Sequence, residues 1–205
     1  MLRTALEFLS DEINAYLKRK DAVNFGNEDV ALISSLMNPD GTFAITAGDG
    51  DISKIIITLI NLEEDRVSDS QYNYRQVDDK IKVINPPVNI NAFVLFSAFA
   101  NNYATALRLL SYVISFFQAN QVFDSDQYPG INAKVDNNKP WQKVGRLVIN
   151  YHSTTFEQQN NLWAALGAKY MPSAIYKIRT MSFIDYEPKL ETPPITEITI
   201  SDDLR

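Results

Sequence analysis

The chain has 205 residues, 45% of them hydrophobic and 21% charged, which indicates one globular domain able to bury a substantial core. It contains no cysteine, so disulfides and thiolate–metal sites are excluded and synthesis in a cytosol is expected. The formal net charge of −6 argues against nucleic acid as a partner. No apolar run is long enough for a membrane span, and Glu7, Asp11 and Glu12 interrupt any signal-peptide core.

The N-terminal segment predicts an amphipathic helix that ends at three basic residues, where cations suit the helix C-terminus. Its apolar residues recur at spacings of three and four on one face: Leu2, Leu6, Leu9, Ile13, Tyr16 and Leu17. Residues 30–37 and 42–46 then flank Asn38-Pro39-Asp40-Gly41, which is typical of a type I turn. We therefore expect a hairpin over residues 30–46.

Two strands are predicted in the middle of the chain. Residues 54–62 (KIIITLINL) are apolar on both alternating faces, which is typical of a central strand covered on both sides. Residues 88–96 (VNINAFVLF) follow Pro86 and Pro87, which suit a strand entrance. The polar run between these strands, residues 63–80, is expected to form a loop or excursion.

Residues 102–118 predict a long helix that is covered over most of its surface. One apolar stripe contains Tyr103, Leu107, Leu110, Ile114 and Phe117, and a second, which widens it, contains Leu109, Val113 and Phe116. Residues 123–141 are rich in Asp, Asn, Pro and Gly and predict a long loop.

The last third of the chain predicts a strand, a helix and a second strand. Residues 143–151 form the first strand, with Leu147, Ile149 and Tyr151 on one face. Thr154 and Glu157 fit a capping box, Gly167 supplies a helix stop, and residues 173–183 form the second strand. Together these elements favour an α+β fold with a mixed sheet flanked by helices.

Catalytic and metal sites have weak support in the sequence. Glu63, Glu64 and Asp65 end a strand and could bind a divalent cation, which keeps a carboxylate–metal enzyme as a remote alternative. The only histidine, His152, is not accompanied by a serine in a G-x-S-x-G motif, so the sequence offers it no nucleophile. The stretch Gly48-Asp49-Gly50-Asp51 predicts a turn. We therefore expect no enzyme activity, no catalytic residues, no metal and no cofactor.

Two stretches are candidate interaction surfaces. The helix after residue 154 carries the amide-rich run 158–161, which includes Gln158 and Asn161, and is followed by Tyr170. Trp163 and Tyr170 belong either to the core or to a subunit interface. The C-terminal tail, behind Pro193 and Pro194, contains Ile195, Ile198 and Ile200 and could add a strand to a partner's sheet or to its own.

Four stretches together resemble a known family. They are ALEFLSDEINAYLK, ITLINLEED, NPPVNINAFVLFSAFANNYATALRLLSYVISFFQANQVF and LVINYHSTTFEQQNNLWAALGAKYMPSAIYKIR. They resemble the tail-terminator, or cap, proteins of extracellular contractile injection systems, which are phage-tail-like particles of the antifeeding-prophage and Photorhabdus-virulence-cassette type. The third and fourth stretches are the specific part of the resemblance.

The resemblance implies a structural role and a tail-terminator-like fold over residues 1–186. The residues that follow, 187–205, are interrupted by prolines and are expected to form an extended C-terminal tail. It implies a ring, usually of six subunits, that caps the distal end of the inner tube and contractile sheath. The expected partners are other copies of the chain, tube and sheath subunits and a possible paralogous cap subunit. It further implies assembly in a bacterial cytoplasm before the protein becomes part of the particle. A baseplate or adaptor subunit of the same particle is the alternative.

Overall fold

The structure, a computed structural model, describes residues 1–26, 28–45, 53–65, 73–77, 80–84, 88–183 and 190–192. Four α-helices lie in this part of the chain: α1 (Leu2–Lys20), α2 (Ala22–Phe25), α3 (Tyr103–Ala119) and α4 (Phe156–Leu166). The strands described are β1 (Ala31–Ile33), β2 (Ser53–Glu64), β3 (Asn73–Val77), β4 (Lys80–Ile84), β5 (Val88–Ala100), β6 (Val122–Asp124), β7 (Arg146–Tyr151), β8 (Ser173–Phe183) and β9 (Leu190–Thr192). Short 3₁₀ helices span Pro129–Asn132 and Pro140–Gln142.

The described strands form a large sheet and a small one. The large sheet has the order β1-β2-β5-β8-β7-β6, with β1 parallel to β2 and every other neighbouring pair antiparallel. The small sheet is antiparallel, in the order β3-β4-β9. Because parallel and antiparallel pairs occur in one helix-flanked sheet, the predicted α+β class is confirmed.

The large sheet has a core on each face. Because side chains alternate along a strand, Ile55 and Phe96 lie on the face covered by α1 and α3, which we call the front face. Ile56, Leu95 and Ile175 lie on the opposite, back face, where they pack with Trp163 of α4 and with residues of the segment 36–45. The predicted stripe of α1 is confirmed, since its residues lie in or against the front core.

Buried polar contacts from α1 hold the edge strand β1 in place. The Asn14 side-chain oxygen accepts hydrogen bonds from the backbone N–H groups of Val30 and Ala31, at 2.8 and 2.7 Å. The Asn14 amide nitrogen and the Ser10 hydroxyl both donate to the Ala31 carbonyl, at 2.9 and 2.8 Å. These side chains satisfy backbone groups that an edge strand otherwise leaves open.

Several predicted elements change in extent. The predicted hairpin over residues 30–46 is reduced to a tip, with a Gly41 N–H to Asn38 C=O bond of 3.0 Å and one antiparallel bridge between Met37 and Phe43. Its first half instead contains β1, which pairs in parallel with β2. The reason is that β1 pairs with the long apolar strand β2 at three positions, whereas the two sides of the hairpin tip pair with each other at only one.

Two predicted loops contain strands. Residues 63 and 64 continue β2, and residues 73–77 form β3, which pairs with β4, so the prediction of a loop over 63–80 is wrong there. The loop predicted over 123–141 begins inside β6, where Phe123 is fully buried against Phe8 and Phe116. The strands β3 and β6 were not predicted because the sequence around them is polar. A strand that pairs through its backbone does not need a continuous apolar pattern. The predicted turn at residues 48–51 lies outside the described residues.

The helix α3 is covered over less of its surface than predicted. Its buried residues are Ala106, Leu109, Val113, Phe116 and Phe117, and Leu110 packs against the front core. Tyr103, Leu107 and Ile114 of the first predicted stripe are exposed. The sheet and α1, where Tyr16 packs against Phe116 at 5.4 Å, cover the second stripe together with Leu110 and Phe117 of the first.

The first prediction concerns Asn14. We expect Asn14→Ala to lower the free energy of unfolding by about 2–3 kcal/mol, because it strands two buried backbone donors. Urea denaturation followed by circular dichroism measures this change. The matched control is Asn160→Ala, which removes an exposed asparagine from α4. An equal effect of the two substitutions would show that the hydrogen bonds to β1 contribute no special stability.

Candidate functional site

The helix α4 is fixed at both ends by local backbone geometry. Thr155 is the N-cap: its hydroxyl accepts from the Gln158 N–H at 3.2 Å, and the Gln158 side chain accepts from the Thr155 N–H at 3.0 Å. Gly167 ends the helix in the left-handed conformation, with φ of +64°, as predicted. These two caps therefore fix where α4 begins and ends on the back face of the sheet.

The capping box lies one residue later than the sequence prediction. Thr154 and Glu157 were the expected pair, but the observed pair is Thr155 and Gln158. Both pairs satisfy the same spacing rule. In the structure Thr155 keeps an extended backbone, with φ of −73° and ψ of 163°, so the helix begins at Phe156.

The structure separates the predicted interface residues into buried and exposed ones. Trp163 is only 6% exposed and packs in the back core, where its ring meets that of Tyr170 edge-on at 5.6 Å. Tyr170 is 61% exposed, and Gln158 and Asn161 are also exposed. Trp163 thus packs inside the fold, and its ring contacts that of Tyr170. Ile195, Ile198 and Ile200 lie outside the described residues.

A cleft of about 250 Å³ lies at the start of α4. His152, Ser153, Thr154, Gln159 and Trp163 are among the residues that line it. The His152 ring packs edge-on against Phe93 at 4.9 Å, and its backbone N–H donates to the Ile175 carbonyl at 2.8 Å. Within the residues that the structure describes, His152 makes no hydrogen bond to Ser153 or Thr154.

One residue of the predicted carboxylate group forms an ion pair. Glu63 lies 2.7 Å from the Lys177 ammonium, which also sits over the Phe93 ring at 5.2 Å. Successive strand residues point to opposite faces, so Glu63 and Glu64 diverge. Within the described ranges, no three His, Asp or Glu side chains are grouped so that they could hold a metal ion. This arrangement does not favour the carboxylate–metal alternative.

Exposed aromatic residues at one end of the large sheet were missed from the sequence. Phe156 is 92% exposed, and Tyr103 and Tyr151 are also exposed. All three lie near the end where β5 and β7 stop and β8 begins.

The helices of the described part give no sign of a membrane span. None of them is both long enough and apolar enough to cross a bilayer.

Comparison with solved structures shows a shared fold. The sheath/tube terminator of an extracellular contractile injection system, PVC, in its extended state, matches with a TM-score of 0.60 and 15% identity over 96% of this chain. The anti-feeding prophage tube-terminating cap matches with a TM-score of 0.56 and 14% identity over 94% of this chain. The alignments cover 62% and 60% of those chains, so this chain spans about three fifths of their length.

Sequence comparison gives the family. No curated protein matches the sequence. The family described as Pvc16 N-terminal domain matches residues 4–197, which is nearly the whole chain. The chain therefore belongs to the Pvc16 N-terminal domain family.

Proposed function

We propose that this chain is a structural assembly protein that caps the distal end of the inner tube and contractile sheath of a phage-tail-like injection particle. The observation that carries the proposal is the family match over residues 4–197, together with the fold shared with two tube terminators. In this role the protein ends tube growth, anchors the last sheath layer and performs no catalysis. It would assemble in the bacterial cytoplasm and then remain in the particle.

We further propose that copies of the chain form a ring, with six as the expected number. The outer surface of α4 and the residues after it supply one side of the subunit contact. Support comes from the exposed Gln158, Asn161 and Tyr170, because tyrosine and neutral amides suit an interface that must also remain soluble before assembly. Trp163 contributes to this contact indirectly, because its buried ring packs against the ring of Tyr170.

The C-terminal tail is proposed to attach the sheath. The strand β9 ends at Thr192, and the tail continues with Pro193 and Pro194 before the β-prone ITEITI. Proline cannot donate to a strand ladder, so it separates the intramolecular pairing of β9 with β4 from the segment beyond. Ile195, Ile198 and Ile200 would then be available to add a strand to a sheath subunit.

The capping role is tested on the particle itself. In a strain that lacks this gene, electron microscopy should show tubes of uncontrolled length with no cap, because nothing stops subunit addition. Complementation with the intact gene should restore uniform, capped particles. Normally capped particles of normal length in the deletion strain would refute the proposal.

The ring contact is tested by a pair of substitutions. Tyr170→Ala should give monomers of nearly unchanged melting temperature, since the side chain is 61% exposed. Trp163→Ala should lower the free energy of unfolding by about 3–5 kcal/mol, because it leaves a cavity in the back core. Size-exclusion chromatography and calorimetry separate the two effects. The interface assignment fails if Tyr170→Ala still forms the oligomer of the unmodified chain.

The tail is tested by truncation after Thr192, which leaves β9 complete. The shortened protein should keep its melting temperature and still assemble, but it should lose attachment to purified sheath in a pull-down experiment. A large loss of stability would instead assign the tail to the chain's own fold.

A further inference from the structure

A cavity of about 490 Å³ is lined by residues of α2, the start of β2 and the first turns of α3. Its polar lining includes Ser53, Lys54, Thr105 and Arg108. Phe25 of α2, which is buried, contributes an apolar wall. The volume lies within the range of cavities that hold small ligands in proteins.

The Arg108 guanidinium is held in place at this cavity by two contacts. It lies over the Phe25 ring, 5.6 Å from the ring centroid, where the aromatic face attracts a cation. It also lies 4.0 Å from the Asp21 carboxylate, which is beyond hydrogen-bond distance. The Asp21 oxygens accept instead from Asn24 and from the Tyr112 hydroxyl. Asp21 therefore holds Arg108 by charge attraction without occupying its N–H donors.

The hydrogen-bond donors of Arg108 consequently remain available to a ligand. The side chain is 44% exposed, and in the part of the chain that the structure describes no group accepts a hydrogen bond from it. The Ser53 and Thr105 hydroxyls likewise donate to none of the described groups. Thr105 precedes Arg108 by three residues, so both side chains lie on the same side of α3. The cavity thus presents an arginine fork and two hydroxyls whose donors the described chain does not use.

Lys54 adds charge balance rather than a donor, because its ammonium group is already engaged. It donates to the Asp29 carbonyl at 2.8 Å and to the Glu28 carboxylate at 3.2 Å. Lys54 and Glu28 both line the cavity and neutralise one another. Among the described lining residues, Arg108 therefore carries the one charge that is not balanced within the lining.

These groups define the ligand as a carboxylate with an aliphatic part. The arginine fork matches the two oxygens of a carboxylate, and hydroxyls can donate to the same oxygens. A phosphate monoester would bring about two negative charges close to the carboxylates of Glu28 and Asp21, which disfavours it. Val23 lines the cavity and is 96% exposed, so it offers an apolar contact to the aliphatic part.

We propose that this cavity binds a carboxylate attached to an aliphatic group, through Arg108, Thr105 and Ser53. The carboxylate belongs either to a free small acid or to the C-terminal residue of a peptide, and both are recognised by the same chemistry. The proposal is independent of the capping role, because the site uses neither α4 nor the C-terminal tail.

The test titrates the full chain with isovalerate, with its uncharged amide isovaleramide, and with inorganic phosphate. In ¹⁵N NMR, isovalerate should shift the Arg108 Nε–H signal to saturation, because its carboxylate accepts a hydrogen bond there. Isovaleramide has the same shape without the charge and should bind at least about tenfold more weakly. A signal that does not shift with isovalerate, or equal binding of isovaleramide or phosphate, would overturn the proposal.

Two tripeptides distinguish the sources of the carboxylate. Gly-Gly-Val with a free C-terminus should shift the Arg108 signal, whereas the same tripeptide with an amidated C-terminus should leave it in place. Tighter binding of the free tripeptide than of isovalerate assigns the site to a peptide end, and the reverse order assigns it to a small acid. Equal shifts with both tripeptides would contradict recognition of a carboxylate.

A matched pair of substitutions locates the binding, which is then followed by the backbone amide signals of Ser53 and Thr105. Arg108→Gln should weaken isovalerate binding by about tenfold or more, because it removes both the charge and the fork. Arg146→Gln removes an exposed arginine from β7 and should leave binding unchanged. Equal effects of the two substitutions would show that the acid binds elsewhere.

A second variant keeps the test informative if Arg108→Gln destabilises the chain. Thr105→Val preserves the shape of the side chain and removes its hydroxyl, so it should weaken isovalerate binding by about threefold to tenfold. Melting temperatures establish which variants remain folded. Unchanged isovalerate binding in folded Thr105→Val would remove Thr105 from the site and contradict the proposal.

Discussion

The attachment of α1 to the edge strand β1 determines much of the remaining packing. Asn14 satisfies three backbone groups of Val30 and Ala31 from within a buried environment, so α1 has one position across the front face. Such contacts contribute more to specificity of placement than apolar contacts do, since a displaced asparagine would leave several buried polar groups unpaired. Once α1 is placed, α3 can pack on the front face only beside it, with Phe116 against Tyr16.

This constraint explains what could and could not be predicted from the sequence. The stripe of α1, the α3 helix, β8 and the glycine stop of α4 follow from local patterns, and each is confirmed. The extent of burial on α3 could not be predicted, because its apolar residues cover most of the helix and only the sheet and α1 decide which of them are covered. The partner of β1 was also hidden, since a parallel pairing across about 24 residues leaves no turn signal.

The helix α4 was predictable from the sequence, but the direction of its side chains was not. The stretch around α4 was recognised by its caps and its amide-rich run, yet the inward position of Trp163 depends on how Leu95 and Ile175 pack beneath it. The position of Phe156 was not predicted, because the capping pattern fits either Thr154 or Thr155 as the N-cap. Only Thr155 makes Phe156 the first residue of the helix. A pattern of residue types therefore locates a surface, whereas tertiary packing decides which side chains that surface presents.

The strand β2 changes from buried to exposed along its length. Its first half is buried between β1 and β5 and between both cores, with Ile55, Ile56 and Ile57 almost fully covered. Its second half keeps the pairing with β5 but has lost β1, so the same apolar composition becomes exposed there. The continuous pattern KIIITLINL indicated burial throughout, because sequence alone does not reveal where a neighbouring strand ends. Burial along β2 therefore depends on the length of its neighbour β1 rather than on its own composition.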